Sequence, residues 1–124
     1  MMDICDLIVL NESRHEDSAG DVTLFASLAA LASHVEPIDV VNDEYFAYTL
    51  AGERLLLKVE DGDVRVVREN DLGGDASRVR GLLEETADFV RAARLSRGDR
   101  RMEALDPKSM SIEELVELIG ISGA

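Results

Sequence analysis

Four groupings in this chain bring together residue types able to do chemistry. His15-Glu16-Asp17 offers an imidazole and two carboxylates, the donors of a zinc or transition-metal site. Three adjacent residues cannot converge on one ion without distortion, however, and no second His or Cys cluster completes the set, so they read as a solvated loop. His34 is a candidate base for Asp39, although its place at the end of an Ala- and Leu-rich stretch equally suits an imidazole at the negative end of a helix. Asp39, Asp43 and Glu44 are hard oxygen donors that suit a divalent cation, but they lack the alternation and the turn glycine of a calcium loop. Asp61-Gly62-Asp63 holds a fragment of such a loop without the glutamate that closes it. It reads better as a tight turn.

The single Cys5 sits in an apolar run with no base beside it in sequence, so its expected role is packing. There is no glycine-rich phosphate loop, no Gly-Xaa-Ser-Xaa-Gly elbow and no His-Glu-Xaa-Xaa-His stretch. The sequence therefore predicts no catalytic residue, no metal site and no cofactor.

The elements that must position these groups follow from spacing. Ile4 to Leu10 is short and apolar, which predicts a buried first strand, followed by a polar loop from Asn11 to Gly20 and a second short strand, Val22 to Phe25. Ser27 can cap a helix over Leu28 to His34, and Pro37 stops it. Glu44 to Leu50, Arg54 to Glu60 and Val64 to Arg68 form a predicted three-stranded antiparallel meander, its last turn made by Asp61-Gly62. Leu55, Leu57, Val59, Val64 and Val66 should line its buried face, with Arg54, Lys58, Glu60 and Arg65 on the other.

Asn70 to Asp75 reads as a loop. From Ala76 to Ser96, Val79, Leu82, Leu83, Thr86, Phe89, Val90 and Ala93 recur at helical spacing. Ser111-Ile-Glu-Glu then matches a capping box, opening a short terminal helix that ends at Gly120. The predicted fold is one α+β domain over residues 1–124: an antiparallel sheet of about four or five strands, packed on one side by the short helix and the long one.

Charge is distributed unevenly. Residues 1–75 hold 17 acidic and 5 basic side chains, whereas residues 76–124 hold 9 and 8. A small domain needs only modest net charge for solubility, so this concentration of acids predicts a surface for a cationic partner and argues against nucleic acid. Seven arginines between Arg78 and Arg101 are interspersed with Glu84, Glu85, Asp88 and Asp99. They read as a salt-bridged face, or as the basic side of a homo-oligomer whose other side is the acidic sheet. Met1-Met2-Asp3, and Asp6 interrupting the first apolar run, do not read as a signal peptide, and no stretch is long enough to cross a bilayer; the expected location is the cytoplasm, with no membrane partner.

The run Asp21-Val22-Thr23-Leu24-Phe25-Ala26-Ser27, then Val35-Glu36-Pro37-Ile38-Asp39-Val40, Glu44-Tyr45-Phe46-Ala47-Tyr48 and Ala51-Gly52-Glu53-Arg54-Leu55, resembles small acidic immunity proteins of bacterial polymorphic toxin systems. The likeness covers about residues 21–60. It implies a non-catalytic protein that binds and neutralises a basic cognate toxin. The candidate contacts are Asp39, Asp43, Glu44, Tyr45, Tyr48, Glu53, Glu60, Asp61 and Asp63. Complementary charge would set the encounter rate, and a few desolvated anchors the affinity. The alternative function is an acidic adaptor or regulatory domain that binds a protein without inhibiting it.

Overall fold

The computed structural model describes residues 6–16, 18–42, 44–68 and 75–122. Their order is β1 (Ile8–Glu12), β2 (Asp21–Phe25), α1 (Leu28–His34), α2 (Pro37–Val41), β3 (Phe46–Thr49), β4 (Arg54–Glu60), β5 (Asp63–Arg68), α3 (Ala76–Ser96), α4 (Ile112–Ile119) and β6 (Ile121–Ser122), with 3₁₀ turns at Arg100–Ala104 and Pro107–Ser109. The class is α+β, as predicted. The sheet runs β5-β4-β3-β1-β2-β6 and is antiparallel except where β6 joins β2.

β1 lies inside the sheet, between β2 and β3, and four successive side chains leading into and along it, Leu7 to Leu10, are buried. Alternation sends them to opposite faces. Ile8 and Leu10 join Phe25, Ala47 and Leu55 beneath Leu31 and Val35 at α1. Leu7 and Val9 join Leu24 and Tyr48 beneath Val79, Leu82, Leu83 and Ala87 of α3, and Leu115 and Leu118 of α4. Each of these β1 side chains contributes roughly 2 kcal/mol by burial, so neither face can be left to water. The helices accordingly cover both faces, and the expected placement of α1 and α3 on one side is corrected.

Local signals set the element ends. The Ser27 hydroxyl accepts the Ala30 N–H, and Ser111 with Glu114 forms a complete capping box at α4. The Asp75 carboxylate accepts the N–H groups of Ser77 and Arg78 at the start of α3; the Ser77 hydroxyl first, and then those N–H groups, hold its pKa below the usual aspartate value. The meander forms in the predicted register, with Leu57 opposite Val66 and Val59 opposite Val64, and both turn residues, Asp61 and Gly62, adopt positive φ.

Other features depart from the sequence reading. Asn11 and Glu12 belong to β1 rather than to a loop, while Ile4 and Cys5 lie outside the described residues, as do 70–74 of the expected Asn70 to Asp75 loop. α1 ends at His34 as expected, with Glu36 before Pro37 held extended; Pro37 is in addition the first residue of α2, where its missing N–H would have no helical partner. β6 is a further strand that raises the count to six. Phe89 is 76% exposed, since it sits about 80° round α3 from Val79 and beyond the covered stripe.

Several α3 arginines act inside the molecule. Arg80 donates to the Met110 carbonyl at 2.6 Å and Arg91 to that of Met102 at 2.8 Å, tying down the segment between α3 and α4. Arg78 pairs with Glu16 and Arg80 with Glu84, so the salt-bridge expectation holds for these.

Gly52 joins the meander to α3. Its carbonyl accepts the Asp75 N–H, its φ is +92°, and a Cβ there would come within 2.4 Å of the Ala76 nitrogen. Gly62 also has positive φ but faces open space. In urea unfolding, Gly62→Ala should lose about 1 kcal/mol for its backbone conformation alone, and Gly52→Ala should lose at least twice that. Equal losses would show that the contact between turn and helix is unimportant.

Candidate functional site

The loop between β1 and β2 places two of the charged groups, and a buried amide holds that loop. Asn11 is fully buried; its Nδ2 donates to the Ser18 carbonyl and its Oδ1 accepts the Gly20 N–H. Glu16, on the same loop, accepts a short hydrogen bond from the Tyr48 hydroxyl and meets Arg78 at 2.9 Å and Arg54 at 3.5 Å. Burial first, and then the Glu16 bond, push the Tyr48 phenol far above its usual pKa. Glu16 is thus ion-paired within the fold. Asp17 lies outside the described residues, among which no three His, Cys, Asp or Glu side chains gather as metal ligands would.

Arg14, from the same loop, reaches Glu44 with Nη2 at 2.8 Å and Nε at 3.2 Å. Beside this pair the Tyr45 hydroxyl donates to Asp39 at 3.2 Å. Hydrogen bonding with Glu44, followed by desolvation, raises the Asp39 pKa, while the Arg14 hydrogen bond lowers that of Glu44. Tyr45 is raised chiefly by burial. The sign of the linkage differs for the two acids. Asp39 holds its proton more tightly in the folded state, so its contribution is lost as pH rises through its raised pKa; Glu44 contributes above its depressed pKa and loses this as pH falls. His34 does not reach Asp39: its Nε2 lies 2.8 Å from Glu12 Oε1, and its ring leans on Phe25.

Tyr45 lines two neighbouring clefts. One, about 240 Å³, is polar and includes Glu12, Arg14, Asp39 and Glu44. The other, about 340 Å³, includes Val40, Phe46, Leu55, Leu56 and Leu57, with Arg54 stacked 5.4 Å over the Phe46 ring. On α2 itself, Ile38 is 66% exposed and Val41 69% exposed, one helical turn apart. The sequence reading missed both. Their signal was Pro37 at a first helical position, which turns Ile38 and Val41 into one face of a helix.

Asp39, Glu44 and Tyr45 are therefore together, but the nine expected contacts do not make one surface. Tyr48 is 2% exposed and belongs to the core, a correction: three residues from Tyr45, an odd step, it faces the side covered by α3 and packs with Val79, Leu82 and Leu83. Glu53 sits before β4, while Glu60, Asp61 and Asp63 sit at the tip of the β4–β5 hairpin, about 20 Å along the strand. Glu60 is paired there with Arg65 at 3.1 Å. Asp43 lies outside the described residues.

Comparison with protein-family models, curated proteins and solved structures gave no match to this chain. No helix among the described residues is long and apolar enough to cross a membrane.

The carboxylate pair can be tested by side-chain carboxyl NMR. In Glu44→Gln, Asp39 should titrate at lower pH than in the native protein; in Arg14→Gln, Glu44 should titrate at higher pH. An Asp39 midpoint unmoved by loss of Glu44 would contradict the coupling.

Proposed function

We propose that this chain is a non-catalytic immunity protein that binds a basic cognate toxin through the surface of α2 and Tyr45. The observation that carries this reading is the exposure of Ile38 and Val41 on α2, the helix that also carries Asp39 and, through Val40, one wall of the cleft lined by Tyr45. Exposed aliphatic side chains within an acidic rim supply the two parts of a specific interface: anchors that lose water, and charges that steer the encounter. The resemblance over residues 21–60 and the acidic excess of residues 1–75 support the same conclusion. A toxin acting on nucleic acid has a basic active site, the surface such a protein would cover.

In this reading the groups have distinct roles. Ile38 and Val41 are the anchors, Asp39 receives a lysine or arginine of the toxin, and Arg14 holds Glu44 in place until a partner cation competes for it. The charges at the hairpin tip act at longer range.

The test uses a toxin encoded beside this gene and lethal when expressed alone. Co-expression should protect, and Ile38→Asp with Val41→Asp should abolish protection and weaken binding by about a hundredfold or more. Asp39→Lys should instead slow association and flatten its salt dependence. A bound toxin cation favours ionised Asp39, so affinity should fall as pH drops through that group's raised pKa, and Asp39→Asn should remove this component. Binding without loss of toxicity would favour the adaptor function; binding indifferent to Ile38 and Val41 would refute the site.

A further inference from the structure

A second surface, independent of α2, lies along the outer edge of β2. β6 pairs with β2 only at Leu24 and Phe25, so the stretch Asp21–Thr23 has no strand beyond it among the described residues. Backbone groups on such an edge are open to another strand. Between this edge and α3 runs a groove of about 640 Å³, larger than either cleft at Tyr45. Its apolar side is made by Val22, Phe89, Val90 and Ile119. Phe89 stands at the groove and is 76% exposed, apolar surface whose removal from water would favour a bound partner.

Charge identifies the occupant. Asp21 and Glu85 lie along the groove, and neither lysine nor arginine lines it. A second copy of this chain would bring the same two carboxylates against their duplicates, with a formal net charge of −13 on each molecule. We propose that the groove takes an extended, basic segment of a partner protein as an added strand beside Asp21–Thr23. Side chains of such a segment alternate in direction. One set would pack on Phe89, Val90 and Ile119, and the other would present lysine or arginine toward Asp21.

Panning a random octapeptide display library against the full chain at low salt tests this directly. Peptides alternating basic and apolar residues should be enriched. A synthetic copy should bind about tenfold or more weakly to Phe89→Ser and to Glu85→Lys, both exposed positions whose folding circular dichroism can verify. Methylating alternate backbone nitrogens of the peptide should have a similar effect, while Ile38→Asp in the protein should have none. The proposal is overturned if no alternating basic peptide is enriched, if binding survives Phe89→Ser or backbone methylation, or if sedimentation shows the groove filled by a second copy. None of these results depends on the α2 surface.

Discussion

The burial of β1 on both of its faces is the constraint from which the rest of the structure follows. Ile8 and Leu10 require a cover on one side, Leu7 and Val9 on the other, and α1 and α3 supply one each. With much of both faces occupied by core, the carboxylates of residues 6–75 that the structure describes lie mostly in loops, at the ends of strands and helices, and at the hairpin tip. Several have local partners: Glu12 meets the His34 ring, Glu16 pairs with Arg54 and Arg78, Glu44 with Arg14, and Glu60 with Arg65. The acidic excess is real, and among the described residues it meets exposed large apolar side chains at α2, where Asp39 lies between Ile38 and Val41, and at the groove that Phe89 lines with Asp21 and Glu85.

Elements defined by their own residues were legible in the sequence. Ser27, Asp61-Gly62 and Ser111-Ile-Glu-Glu each satisfy backbone groups within a few positions, so their structures need no distant partner. Features that depend on a partner far along the chain were not legible. Asn11 looks like loop material, yet it is buried because Ser18 and Gly20 satisfy its amide. β6 exists only because β2 lies beside it, and two residues carry no periodicity to reveal it. Phe89 belongs to the helical pattern in spacing, but only the sheet's position decides which part of the stripe is covered.

The candidate site was legible to a similar depth. Asp39, Glu44 and Tyr45 converge because Pro37 starts α2 directly after α1 and the chain then enters β3. Tyr48 belongs to the same aromatic strand but opposite parity, so a reading of residue type without direction placed it on the surface. The hairpin acids lie distant for a simpler reason: a seven-residue strand carries them away. What composition offered was a charge excess; what the fold adds is the small region where that charge has apolar neighbours and a cleft.

Hydrogen exchange of the backbone, measured on the free chain and on its complex with the proposed toxin partner, tests this account most directly. Slowed exchange should be concentrated in residues 36–46, across α2 and the start of β3, with α1 and the core of α3 unchanged. Protection confined to other regions, such as the hairpin tip or the exposed arginines of α3, would contradict it.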